Sequence, residues 1–172
     1  MTSSWWPAGR LPDRTVMSVL YVQQRPHRAG AQTCLARLLR HPGLRAWRPT
    51  LVCSEAGWLA AESARAGVPV LVEPFPGSRS WSARLFRNRA FARRVAHQLS
   101  AQGLRPTLIH ANDHLEGLLA LTLARLCQAR SAITLRSSGM TRADYFKYRC
   151  SEFDLLTVVG AGTRRRSLRG AG

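Results

Sequence analysis

The chain has 172 residues, of which 45% are hydrophobic, enough for one α/β domain with a sizeable core and too few for a second complete domain. Its formal net charge is +17, and Lys147 is the only lysine among 26 basic residues, so arginine carries almost all of the charge. This charge favours an anionic partner such as nucleic acid or an acidic membrane surface, although the arginine bias of a GC-rich genome would produce the same total. No apolar run reaches about 18 residues, so no membrane-spanning segment is expected.

Cysteine usage and glycine spacing bear on the compartment and on cofactors. Cys34, Cys53, Cys127 and Cys150 lie far apart and include no C-x-x-C pair. We interpret them as reduced residues, mostly in the core, of a cytoplasmic protein. The loop 23–30, which follows the first predicted strand, lacks the G-x-G-x-x-G fingerprint of dinucleotide-binding proteins. We therefore expect neither a metal nor a cofactor.

The two ends of the chain differ in composition from its middle. Residues 1–15 show no hydrophobic periodicity, and residues 160–172 are rich in glycine and arginine with one large apolar residue. Neither segment can bury an apolar face, so both are predicted to be disordered. The folded domain is accordingly predicted to span residues 16–159.

Short apolar runs alternate with helical patterns along this domain. Strands are predicted at 16–22, 50–53, 68–72, 107–111, 131–136 and 155–159. Helices are predicted to start at Ala29 and stop at Pro42, and to span 58–65, 81–102, 115–127 and 141–152. Five alternations with short loops predict parallel pairing through right-handed crossovers. The expected fold is an α/β, doubly wound, mostly parallel six-stranded Rossmann-like sheet.

A polar cluster follows the fourth predicted strand and precedes a leucine-rich helix. His110, Asn112, Asp113 and His114 occupy four of five consecutive positions, where they could bond sugar hydroxyls or transfer protons. In an open α/β sheet, ligands bind at the carboxyl ends of the strands. Two structural alternatives stay open: Asp113 with Glu116 matches a helix-capping arrangement, and His110 could be a core histidine with satisfied hydrogen bonds.

Two further sites are indicated at other strand ends. Arg136 and Ser137 follow the fifth strand and would adjoin the cluster if the fourth and fifth strands pair; an arginine there could hold a phosphate or carboxylate. Gly30, followed by Ala31, opens the first helix, where backbone amides could approach an anion. Alternatively, Gly30 serves only as the N-cap.

The segment 79–94 is basic and contains the aromatic residues Trp81, Phe86 and Phe91. This pattern resembles a surface for nucleic acid or anionic lipid. The alternative is a charged, solvated helix face whose aromatic residues lie in the core.

Five short motifs occur in a characteristic order. They are R-A-G-A-Q-T (28–33), A-G-V-P-V (66–70), L-I-H-A-N-D (108–113), T-L-R (134–136) and the segment 149–159, which contains F-D-L (153–155). Their order and spacing resemble the amino-terminal domain of family 4 retaining glycosyltransferases of the GT-B fold. That family typically shows G-G-A-E, A-G-V-P-V, V-H-A-H-D and T-x-H-G at the first four places.

The resemblance implies a role for each candidate residue in sugar transfer. His110 and Asp113 would be catalytic, and Gly30 and Ala31 would lie near the donor phosphates. The implied acceptor-binding residues are Asn112, His114, Arg136 and Ser137. The sequence departs from the family pattern at four positions, with Ala29 for glycine, Gln32 for glutamate, and Asn112 and Arg136 for histidine.

The implied function is transfer of a sugar from a nucleotide-sugar donor to a cell-envelope glycan or glycolipid, in the cytoplasm or at the inner face of an anionic membrane. The family's carboxyl-terminal donor domain is not in this sequence. The chain is therefore expected to be a truncated acceptor-side half that binds the donor only with a second domain and is inactive alone. Two alternatives are a basic module that binds nucleic acid, the less expected partner, or anionic membrane, and a non-functional gene fragment.

Overall fold

A computed structural model describes residues 17–76, 81–136 and 140–160. The six strands are β1 Val19–Gln23, β2 Thr50–Cys53, β3 Val70–Val72, β4 Leu108–Ala111, β5 Arg130–Leu135 and β6 Leu155–Val158. The helices are α1 Gly30–Arg40, α2 Trp58–Arg65, α3 Trp81–Ala101, α4 Gly117–Cys127 and α5 Arg142–Lys147. Short 3-10 turns lie at Pro42–Trp47, His114–Glu116 and Cys150–Glu152.

The six strands form one sheet in the order β3-β2-β1-β4-β5-β6, and all five pairings are parallel. This confirms the predicted doubly wound α/β class. The strand order reverses between β1 and β4, where Tyr21 pairs with His110 and Val22 with Ala111. Loops after these two strands leave toward opposite faces of the sheet, and in open α/β sheets this arrangement places the ligand crevice at the carboxyl ends of the strands.

The core has one layer on each face of the sheet. On one face Leu20 and Ile109 pack with Phe91 of α3, and on the other Tyr21 packs with Leu35 of α1. All five residues of β1 are buried, because helices cover this central strand on both faces. The edge strand β6, in contrast, is only partly buried.

Several predicted boundaries move by a few residues for identifiable reasons. The third strand begins at Val70 because the N–H of Val68 donates to the Ser63 carbonyl at 3.0 Å and so closes α2. The predicted helix 141–152 is interrupted after α5, where Arg149 has a φ of 56° and starts a separate 3-10 turn. A left-handed residue breaks helical hydrogen bonding, so one periodic pattern yields two short elements.

Two of the four cysteines lie in the core. Cys53 and Cys150 are buried, Cys127 is partly exposed and Cys34 is exposed, and all four are free thiols. The segments 1–15 and 161–172 fall outside the described residues, so their predicted disorder stays a prediction. None of the described helices is both long and apolar enough to cross a bilayer.

Gly117, the first residue of α4, approaches the backbone of Tyr148 closely. A Cβ atom added at Gly117 would lie 2.6 Å from the Tyr148 carbonyl oxygen, whereas one added at Gly30 would meet nothing within 4 Å. We expect Gly117→Ala to lower the free energy of unfolding by about 1–3 kcal/mol, because backbone must move to relieve the overlap. Urea unfolding measures the change, with Gly30→Ala as the control, and equal stability of the two variants would contradict this packing.

Candidate functional site

A buried carboxylate joins the carboxyl ends of β1 and β4. Glu116, 1% exposed, accepts at Oε1 from the backbone N–H of Gln24 at 2.8 Å and from Nε2 of Gln23 at 3.0 Å. Its Oε2 accepts from the backbone N–H of Asp113 at 3.2 Å. One side chain therefore holds Gln24, the first residue after β1, and Asp113, the second residue after β4.

The environment of Glu116 opposes its ionisation. The pKa of this carboxyl is raised to about 7, chiefly by burial and also by the charge of Asp113, while the N–H donors of Gln24 and Asp113 act in the opposite direction. The carboxyl consequently changes charge near neutral pH. Its hydrogen bonds to backbone amides are strongest in the ionised form.

Asn112 ties the end of β4 to the first turn of α1. Its backbone N–H donates to the Val22 carbonyl at 3.1 Å, continuing the strand pairing by one residue. The fully buried side-chain amide donates from Nδ2 to Oε1 of Gln23 and to the Ala31 carbonyl at 3.3 Å. The start of α1 is thus fixed against the sheet at the crevice.

Asp113 is the N-cap of the turn that leads into α4. Its Oδ1 accepts from the backbone N–H of His114 at 2.8 Å, and Glu116 completes a capping box, which confirms the predicted capping arrangement. The same Oδ1 accepts from Nδ1 of His114 at 3.0 Å, and this bond raises the His114 pKa. The His114 ring also packs edge-on against Tyr148, with centroids 5.1 Å apart.

Arg136 joins this group from the end of β5, as predicted for paired fourth and fifth strands. Its backbone N–H donates to Oδ1 of Asp113 at 3.2 Å. Its Nε donates to the backbone carbonyl and to Oδ1 of Asn112, at 3.1 and 3.0 Å. These contacts fix the guanidinium without using its two terminal nitrogens. Ser137 lies outside the described residues.

His110 belongs to a different hydrogen-bond group. Its Nε2 bonds to Oγ1 of Thr134 at 2.9 Å, which in turn bonds to Oγ1 of Thr157 at 2.8 Å, and its ring packs edge-on against Tyr21. Nδ1 is buried without a hydrogen-bond partner among the described residues. Burial, aided by the charge of Arg136, lowers the His110 pKa to about 4, so the imidazole is neutral at physiological pH. Within the described residues, therefore, the ring is hydrogen-bonded at Nε2 alone.

The start of α1 borders the crevice. Ala29 is its N-cap and provides no side-chain hydrogen bond, so the alternative in which Gly30 is the N-cap is wrong. Gly30 is the first helical residue, and open space lies where its side chain would be. The first amides of a helix without a side-chain cap, at the positive end of its dipole, suit an anionic group.

The sequence did not reveal the roles of Gln23 and Glu116 in connecting β1 to β4. The spacing of Asp113 and Glu116 indicated only a local cap. A glutamine ending an otherwise apolar strand was a signal for a buried polar contact at Gln23. Among the described residues, no group of three or more His, Cys, Asp or Glu side chains could hold a metal ion.

Comparison with known proteins yields structural neighbours only. No family model and no curated protein sequence matches the chain. The structure of Anabaena Alr3699/HepE with UDP-glucose has a TM-score of 0.69 at 13% identity, covering 91% of this chain and 41% of that one. The structure of the same protein with UDP and glucose has a TM-score of 0.67 at 13% identity, covering 91% and 42%. The chain thus spans about two fifths of the neighbours' length, and the likeness shows a shared fold.

We predict that Glu116 makes stability depend on pH. The folded state holds its pKa at about 7 against 4.5 for an unperturbed glutamate, so between these values the folded chain binds more protons than the unfolded chain. Stability from this group must fall as pH rises through that window, by up to about 3 kcal/mol. Urea unfolding across the window should show wild type losing stability relative to Glu116→Gln, with the difference constant outside it.

Two features of this experiment make it specific to Glu116. His110, whose pKa is lowered, contributes with the opposite sign, since its stability term is lost as pH falls from 6.5 toward about 4. Only the difference between wild type and variant therefore isolates Glu116. Glu55→Gln, at a side chain that is 58% exposed, is the matched control. A difference curve for Glu116→Gln that is as flat as the control's would contradict the prediction.

We also predict that the ring resonances of His110 titrate with a midpoint of about 4 rather than 6.5, because burial disfavours the imidazolium. Proton NMR through an acid titration measures the midpoint, and His110→Gln identifies the resonance by its disappearance. A midpoint at or above 6.5 would show instead that the ring is hydrated or paired with a carboxylate.

Proposed function

We propose that the chain is the acceptor-side half of a nucleotide-sugar-dependent glycosyltransferase that acts on a cell-envelope glycan or glycolipid. Support comes from the fold, which is shared with structures of Anabaena Alr3699/HepE in complex with UDP-glucose and with UDP. Assignment to the retaining GT-B enzymes of family 4 is part of this proposal and rests on the motif order in residues 28–159.

The observation that carries the proposal is the pair of walls that border the strand-order reversal between β1 and β4. One wall is the start of α1, whose first amides lack a side-chain cap, and the other is the group of Asp113 and Arg136. A helix start favours the phosphates of a donor, and a carboxylate beside a guanidinium favours the hydroxyls and charged groups of a saccharide. The two walls suit the two substrates of sugar transfer.

Within this proposal the residues of the second wall divide into contacting and positioning groups. Asp113, His114 and the terminal nitrogens of Arg136 face the acceptor. Asn112 is fully buried and hydrogen-bonded to Gln23, Ala31 and Arg136, so it acts by holding Arg136 in place. Ser137 would extend the acceptor site beyond the described residues.

His110 is the proposed proton-transfer group together with Asp113. A neutral imidazole can accept a proton at neutral pH, whereas an imidazolium cannot. The His110 pKa of about 4 keeps the ring in the accepting form, and Thr134 orients it through Nε2. We assign the accepting role to Nδ1, the nitrogen without a partner in the described part of the chain.

The donor is the substrate that this half binds weakly. Gly30 and Ala31 contribute backbone groups near the donor phosphates, and no other donor contact is assigned to the described residues. Tight binding of a nucleotide sugar, and hence transfer, is proposed to require a second domain facing the crevice. The reaction is placed in the cytoplasm, at the inner face of the membrane that carries a glycolipid acceptor.

The division between donor and acceptor binding can be tested on the chain as it is. Isothermal titration with UDP-glucose is expected to give binding in the millimolar range or weaker, because the contacts proposed here are a few backbone amides. Micromolar affinity of the isolated chain would contradict the assignment of donor affinity to a second domain.

Acceptor binding provides the complementary test. On a printed glycan array the chain is expected to retain a subset of saccharides, and Arg136→Gln should weaken that retention about tenfold or more, since it removes charge-assisted hydrogen bonds. Arg130→Gln, at the amino end of the same strand, is the matched control and should retain binding. Absence of glycan binding, or equal loss in both variants, would refute the acceptor site.

A further inference from the structure

A groove of about 340 Å³ lies on the outer side of the helix layer formed by α3 and α4. Four arginines line it: Arg89 and Arg93 from α3, Arg125 from α4, and Arg149 from the turn after α5. None of them belongs to the crevice described above. The groove is large enough for a small charged group, and its walls are guanidinium side chains.

The positive charge of this groove is largely uncompensated. Arg125 and Arg149 share one carboxylate, that of Glu152, with 2.8 Å between Nη2 of Arg125 and Oε2 of Glu152. Within the described ranges, Arg89 and Arg93 form no ion pair with any acidic residue. Four guanidinium groups therefore face a single carboxylate, so the groove is complementary to an anion.

Besides the arginines, Asn88 and Thr122, the groove is lined by apolar residues, and we call the leucines of α4 among them its leucine floor. Leu118 and Leu126 of α4 contribute aliphatic surface, and Leu126 is 47% exposed. Phe86 is 73% exposed and lies three residues before Arg89, on the same face of α3. Phe91, in contrast, is fully buried in the core. Of these two aromatic residues of the basic segment, only Phe86 is available at the surface.

We propose that this groove binds the phosphate group of an acidic phospholipid and docks the α3–α4 face on an anionic bilayer. Arginine forks bind phosphate oxygens in pairs, and the exposed Phe86 and Leu126 would enter the interfacial region of the lipid. A nucleic acid would supply phosphate but no aliphatic chain to cover the leucine floor. The inference stands apart from the transferase proposal, because it uses none of the crevice residues.

Vesicle sedimentation with the whole chain tests this docking. Vesicles containing phosphatidylglycerol should bind the chain at least about tenfold more tightly than phosphatidylcholine vesicles, and salt should weaken this binding. The double variant Arg89→Gln with Arg93→Gln should lose about tenfold in affinity for the acidic vesicles. The matched control is Arg37→Gln with Arg45→Gln, which removes the same charge from exposed positions elsewhere. On a logarithmic scale, its loss of affinity for the acidic vesicles should be less than half that of the groove variant.

A second variant tests the exposed aromatic side chain separately. Phe86→Ser alters a solvent-exposed side chain and should weaken vesicle binding severalfold while leaving the salt dependence unchanged. Competition with inorganic phosphate and with a single-stranded oligonucleotide distinguishes the source of the phosphate. Equal losses in the two arginine pairs, equal binding to neutral vesicles, or tighter binding of free phosphate or oligonucleotide than of acidic vesicles would each overturn the proposal.

Discussion

The carboxylate of Glu116 accepts hydrogen bonds from backbone N–H groups that the strand order leaves without partners in the sheet. Where the order reverses between β1 and β4, the loops diverge, and the first backbone N–H beyond the last pairing on each side, after Gln23 and after Asn112, has no partner in the sheet. Gln24 and Asp113 carry these two N–H groups, and both donate to Glu116. Both hydrogen bonds are partly buried, and a buried N–H without a partner costs about 1–3 kcal/mol, so one acidic side chain satisfies two donors whose loss would lower stability.

The remaining geometry of the crevice follows from this bridge through a chain of hydrogen bonds. Glu116 accepts from Nε2 of Gln23, and Oε1 of Gln23 accepts from Nδ2 of Asn112. Oδ1 of Asn112 in turn accepts from Nε of Arg136. Each buried amide uses one end for the previous residue and the other for the next, so the orientation of Arg136 depends on groups it does not touch. A buried polar network is stable only when its members are satisfied, and these hydrogen bonds allow Gln23, Asn112 and Glu116 to be buried at the ends of β1 and β4.

Local patterns were sufficient for most of the fold, because apolar runs, helix periodicity and capping spacing act within a few residues. They also placed Arg136 beside the cluster, since parallel strand ends must meet at one edge. Local patterns could not predict the hydrogen bond between Gln23 and Glu116, because the two residues are 93 positions apart and meet only after β1 pairs with β4. The break at Arg149 was not predicted either, because the helical pattern of the sequence continues through this residue, whose φ is 56°.

Because the sequence is rich in arginine, its net charge alone does not identify a binding surface. Arginines that pair with a carboxylate must first be distinguished from those that do not. Arg40 and Arg65 both pair with Glu62, whose side chain is 7% exposed, so their charge serves to neutralise a buried carboxylate. Arg94 similarly pairs with Glu73. The groove arginines differ, since Arg89 and Arg93 lack a carboxylate among the described residues and flank the leucine floor. A genome-wide bias can raise the number of arginines, but it does not explain why unpaired ones gather around exposed leucine and phenylalanine. That arrangement, rather than the net charge, is the argument for an anionic partner.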